Sequence, residues 1–76
     1  MSVKKTEWTR IEMLGANVRR ERLRKKLTQE ELAERVEIAT RNLQKIEAGE
    51  INVRANTIYR IQSVLRCPWK RLMSIR

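Results

Sequence analysis

The sequence predicts an all-α fold of five short helices in a single domain. Three observations carry that expectation. Arg, Lys, Glu, Leu and Gln, all good helix formers, dominate the composition, while the 76 residues include two Gly, one Pro and no Phe. Apolar residues recur at steps of three and four, the period of a helix with one buried face. Start and stop signals then divide the chain: Thr28 with Glu31, Gly49, and Pro68.

The first helix is expected from Thr6 or Thr9 to Lys25. Ile11, Leu14, Val18 and Arg22 form one inward stripe. Arg22 ends that stripe where an apolar residue would be ordinary, so it requires a partner. Trp8 stands one step ahead of Ile11 and either extends the stripe or lies exposed. The second helix opens on the capping box Thr28-x-x-Glu31, with Leu27 before the cap and Leu32 at the fourth helical position as a hydrophobic staple. Leu32, Ala33 and Val36 face inward, and Ile38 falls out of phase, which places a turn at Val36-Glu37-Ile38.

The third helix is expected from Thr40 to Ala48, with Leu43, Ile46 and Glu47 inward and Gly49 as its left-handed terminator. Its opposite face, Thr40, Arg41, Gln44 and Lys45, is polar and carries no acid. After the loop EINVRAN, a fourth helix runs from Ala55 to Leu65 with Ala55, Ile58, Ile61, Val64 and Leu65 inward. Pro68 suits the first turn of a short fifth helix. Its residues Trp69, Leu72 and Met73 share one side, as core or as a dimer patch.

Charge is unevenly placed. The net charge is +9. Residues 1–26 carry nine Lys/Arg against three Glu, and residues 27–37 carry one Arg against four Glu. Residues 51–76 carry six Lys/Arg and no acid. Residues 38–50 balance, and basic flanks around a near-neutral centre suit a polyanion, because each neutralised phosphate releases counterions.

Several classes are disfavoured. The lone Cys67 has no partner for an intramolecular disulfide, and without His there is no zinc site. A reduced, cytoplasmic setting is expected. No apolar run approaches the roughly 20 residues of a membrane span, and the N-terminus MSVKKTEWTR lacks the apolar core of a signal peptide. With no His, no Asp and no base beside Cys67, neither an enzyme nor a cofactor site is expected. Residues 1–10 read as a basic arm or the start of the first helix, and residues 11–76 as the domain.

Residues 29–46 read as a helix-turn-helix. Ala33 is small where the second helix of the pair must cross, and Leu32, Val36, Ile38, Leu43 and Ile46 lock the angle. The stretch LGANVRRERLRKKLTQEELAERV, followed by IEAGEINV and a closing helix pair, resembles the phage-repressor (Cro/cI-type, XRE) family over Leu14 to Leu72. The resemblance implies a compact five-helix bundle, a lambda-repressor-like DNA-binding domain, with the third helix in the major groove. It also implies a structural ion pair between Arg22 and Glu47. The chain departs from the family pattern at Glu37 and Lys26, which stand where Gly is common, and at Glu21 and Gln62, where apolar or small residues are usual. Cys67 stands where a Ser or Thr often leads into the last helix.

By family position, Thr40, Arg41, Gln44 and Lys45 face base edges, and Gln29, Asn42, Asn52 and Arg54 meet phosphates. Lys45 and Asn42 suit either role. Lys4, Lys5 and Arg10 are candidates for an arm along the duplex. Arg grips guanine with two hydrogen bonds, Gln does the same with adenine, and a Thr methyl suits thymine. One domain spans few base pairs, so a homodimer on an inverted repeat is expected, with Trp69, Leu72, Met73 and Ile75 as its contact surface. The implied function is a double-stranded-DNA-binding transcriptional regulator, a repressor or small operon controller without a small-molecule effector or membrane partner. The alternative is a protein-interaction module of the same fold, such as an antitoxin or a coactivator.

Overall fold

A computed structural model describes residues 9–74. Trp8, Lys4, Lys5 and Ile75 lie outside the described residues. Five helices follow one another: α1 (Arg10–Arg24), α2 (Gln29–Val36), α3 (Thr40–Glu47), α4 (Ala55–Leu65) and α5 (Trp69–Leu72). The described residues contain no strand, and none of their helices is long and apolar enough to cross a membrane.

Two helices start on the same device. Thr9 Oγ1 accepts from the Glu12 N–H at 3.1 Å while the Thr9 N–H donates to Glu12 Oε1 at 2.8 Å. Thr9 is therefore the N-cap of α1, and Thr6 lies outside the described residues. Thr28 and Glu31 repeat the exchange at 3.0 and 2.8 Å for α2. Each box satisfies two backbone N–H groups that a helix start otherwise leaves open.

The short connections are explained by how the helices end. The Leu27 N–H reaches Arg22 O, the Ile38 N–H reaches Ala33 O, and the Glu50 N–H reaches Lys45 O, at 2.9–3.2 Å. Each is a bond across five residues around one left-handed residue, the Schellman closure. Those residues are Lys26 (φ 58°), Glu37 (φ 66°) and Gly49 (φ 73°). Only one of the three is glycine, and each non-glycine costs on the order of 1–2 kcal/mol. At Glu37 the cost is offset from α4: an Arg60 Nη2 donates to Val36 O, at the end of α2, at 2.6 Å. A further left-handed residue, Arg66 (φ 52°), ends α4.

The core gathers Val18 from α1, Leu32, Ala33 and Val36 from α2, Leu43 from α3, Ile61 and Leu65 from α4, and Leu72 from α5. Ile11 and Leu14 are only half-buried. Cys67 lies inside this core. Burial first, and the nearby Glu21 charge second, push its thiol above the ordinary range, so it stays protonated at neutral pH.

Three expectations are corrected. Leu72 is fully buried, because the single turn of α5 packs that side chain onto the core against α1; it is not part of any surface. Ala55 is exposed, since the buried residues of α4 are Ile61 and Leu65, well past its first turn. Pro68 is the N-cap of α5, with extended backbone, and stands just outside the helix.

Polar side chains of α1 hold α5 in place. Asn17 Nδ2 donates to Leu72 O at 2.9 Å and Ser74 O at 2.8 Å, and Arg20 Nη2 donates to Arg71 O at 2.8 Å. These satisfy carbonyls that a one-turn helix cannot pair within itself.

Candidate nucleic-acid interface

The position of α3 is set by close approach on one side and by a carboxylate on the other. Gly15 of α1 lies against the last turn of α3. A Cβ there would stand 2.1 Å from Ile46 O and 3.0 Å from Glu47 O, so only glycine allows the two backbones to meet. Gly49, just after α3, meets α1 as closely: a Cβ there would come within 2.9 Å of Glu12 Cα.

Glu47 joins three helices. Arg22 Nε donates to Glu47 Oε2 at 2.7 Å and Arg22 Nη2 to Oε1 at 3.0 Å. Gln29 Nε2, from the first residue of α2, donates to the same Oε1 at 3.0 Å. The remaining Arg22 nitrogen, Nη1, donates to Leu27 O at 2.8 Å. The ion-paired side chains are only 8% and 3% exposed. A bidentate, buried pair of this kind fixes orientation as well as adding energy. Here it ties the start of α2 and the end of α3 to one point on α1. The Gln29 amide therefore has one N–H committed inward. What it leaves toward solvent is its second amide N–H and the open backbone N–H groups of the first turn of α2.

The outer face of α3 is built of donors. Arg41, Asn42 and Gln44 are exposed, and Thr40 and Lys45 are half-buried. The one acid of the helix, Glu47, is the residue turned inward. Beside this face lies a cleft of about 140 Å³, lined by the polar residues Asn42, Asn52, Arg54 and Thr57 and the apolar residues Ile38, Ile46, Ile51 and Val53. Three of the expected phosphate-contact residues, from α3 and from the loop after it, thus converge on one cleft. Thr57 joins them, although the sequence reading passed over it. Its place in the first turn of the helix after the loop was the available signal. Arg10 is not brought there: it lines a separate cleft with Met13, Leu14, Asn17, Met73 and Ser74, between α1 and the segment after α5. Of the expected dimer residues, Trp69 and Met73 are 39% and 48% exposed.

Comparison with known proteins agrees with this fold. Two crystal structures of the clp gene regulator ClgR from Corynebacterium glutamicum superpose on the chain. One has a TM-score of 0.85 and 27% identity, covering 92% of this chain and 90% of that one. The other has a TM-score of 0.83 at the same identity, covering 87% and 70%. No curated protein sequence is a significant match. Residues 18–72, which run from the middle of α1 to the last residue of α5, match the Helix-turn-helix family. The chain belongs to that family, in its Cro/cI (XRE) form, whose members are DNA-binding transcriptional regulators.

Proposed function

We propose that the protein is a homodimeric, sequence-specific repressor or small operon controller that binds an inverted-repeat operator in the cytoplasm. The observation that carries this reading is the face of α3: exposed donors, no acid, on a helix locked to α1 and α2 through Glu47. A face of this kind has little use in a folded core and matches the acceptor-rich edges of the major groove.

In this reading Arg41 grips guanine O6 and N7, Gln44 pairs with adenine, and the Thr40 methyl meets thymine. Lys45 serves a base edge or a flanking phosphate. Asn42, Asn52 and Arg54 close on one phosphate at the cleft beside α3. The first turn of α2 offers its N–H groups at Gln29 to a second phosphate, with the helix dipole assisting. Phosphate contacts set the register and base contacts set the sequence. Two copies on half-sites about one helical turn apart supply the specificity that one copy lacks.

Selection of bound duplexes from a random DNA pool at near-physiological salt tests the reading. Enrichment of an inverted repeat with half-site centres about one turn apart is the expected result. Retention of duplexes with no enriched sequence would overturn base reading by α3.

A further inference from the structure

The reading of DNA by α3 uses three cations, Arg41, Lys45 and Arg54, in a chain with 18 Lys and Arg. A denser group lies elsewhere, where α1 ends beside α5. Arg20, Arg24 and Arg71 all approach one carboxylate oxygen, Glu21 Oε2, at 3.1–3.6 Å. Lys25, the C-cap of α1, is exposed next to Arg24, and its charge acts on the Cys67 thiol together with those of Glu21 and Arg71. Four cations thus surround one acid, and that acid is fully buried.

We propose that this cluster is a second nucleic-acid-binding surface, which holds the phosphate backbone of a separate DNA duplex without reading its sequence. The proposal goes beyond the operator reading above: one bound protein bridges two duplex segments.

Excess charge is the first argument. One buried carboxylate needs one cation, and Arg20 supplies it through a hydrogen bond of 3.1 Å. Arg24 and Arg71 add like charges within reach of the same oxygen. Among the described residues neither side chain donates a hydrogen bond, so their planar N–H forks stay available. Guanidiniums crowded in this way repel, and an anion placed among them relieves the repulsion. Glu21 itself opposes an anion, but one acid against four cations leaves the surface basic.

Direction is the second. Arg22 points from α1 to Glu47 at the end of α3. Arg20 and Arg24 each stand two residues from Arg22, so they leave the helix roughly 160° away from it. The cluster therefore faces away from α3, and a duplex seated on α3 does not reach it. The shorter axes of the chain measure 24 and 22 Å. Two duplexes held on opposite flanks are screened from each other, since the Debye length is about 8 Å at physiological salt.

Composition is the third. Arg dominates, and its fork matches a phosphate with two N–H groups. Residues 19–26 and 66–71, which build the cluster, contain no Asn or Gln to pair with adenine. An acidic protein is less well matched, because interface cores exclude charge and here charge is the centre.

Capture of one duplex by another tests this. The selected operator is fixed to beads, saturated with the full chain, and offered a labelled duplex that lacks the operator. The wild type is expected to retain it, with log affinity falling against log salt at a slope of about −3 to −4 for four phosphate contacts. Arg24→Gln combined with Lys25→Gln alters two exposed positions and leaves Arg20 and Arg71 on Glu21; circular dichroism checks that it is folded. This variant is expected to lose about tenfold or more in capture and about 2 in slope, with operator affinity within about twofold of wild type. No capture by the wild type, or equal capture by the variant, would overturn the second surface and leave operator reading standing. An equal loss of operator affinity in the variant would also overturn it, by placing the cluster on the operator duplex itself. Retention of labelled poly-glutamate in place of the duplex would overturn it in favour of an acidic protein partner. Capture that the variant loses, on beads carrying any sequence equally well, would support this surface while sinking base reading by α3.

Discussion

Two buried carboxylates lie on either side of α1, and they are partnered in opposite ways. Glu47 uses both oxygens: Oε2 accepts from Arg22, and Oε1 accepts from Arg22 and Gln29. Its arginine is itself buried, 8% exposed. Glu21 is fully buried yet uses one oxygen. Oε2 takes Arg20 at 3.1 Å, Arg71 at 3.2 Å and Arg24 at 3.6 Å, and Oε1 finds no partner among the described residues. The three arginine side chains are 28–55% exposed. A buried carboxylate is worth having where its geometry is complete and its partner has no water to return to. Glu47 meets both conditions and sits at the end of α3, the helix proposed to read DNA. Glu21 meets neither and stands under the α5 end.

The two sites should therefore respond differently to truncation. Glu47→Ala strands the Arg22 guanidinium and frees Gln29, and is expected to cost about 3–5 kcal/mol in denaturant unfolding. DNA affinity should fall with it. Gly15→Ala leaves the Glu47 pair chemically intact but drives a Cβ into Ile46 O. It should cost about 1–3 kcal/mol, and its value in a double mutant with Glu47→Ala should be non-additive, since both act on the α1–α3 contact. Glu21→Leu is the contrasting case. Its arginines can turn to solvent and the orphaned oxygen disappears, so stability should hold or rise by about 1 kcal/mol. A loss as large as that of Glu47→Ala would erase the distinction between the two sites.

The smallest effect concerns the capping box of α2, which presents the Gln29 turn. Backbone and side-chain hydrogen bonds from Thr28 hold the Glu31 carboxyl below its ordinary value of 4.5. A depressed folded value means that the contribution is present above the unfolded pKa and is lost as pH falls through the folded one. Acid titration should thus show a small destabilisation below the ordinary carboxylate range that Glu31→Gln removes.

Much of this was legible in the residues. The T-x-x-E signature marked the start of α2, and the phase shift at Ile38 marked the turn at Val36-Glu37-Ile38. Thr40 and Ala55 opened the third and fourth helices where periodicity put them. Local chemistry sufficed because each signal acts within one helical turn. What escaped acts across the chain. Asn17 and Arg20 cap α5 from 51 to 57 residues away, and Arg60 reaches the end of α2 from 24. Gly15 looked like an ordinary helix glycine until the α3 backbone was placed against it. Leu72 reads as core or as surface with equal ease, because nothing in a four-residue helix shows which side its docking will cover. Glu21 was visible only as a polar residue in an apolar position. At the outer face of α3, the residue types were legible, whereas the convergence of Asn42, Asn52, Arg54 and Thr57 on one cleft required the loop to be placed.

The central claim is that α3, held by Glu47, reads bases through Arg41. Its most direct test is duplex selection with Arg41→Ala beside the wild type. The account predicts an inverted repeat in both, with the preference relaxed at one base pair per half-site in the variant and affinity for the wild-type duplex lower by about 1–3 kcal/mol. Identical enriched sequences from the two proteins would contradict it.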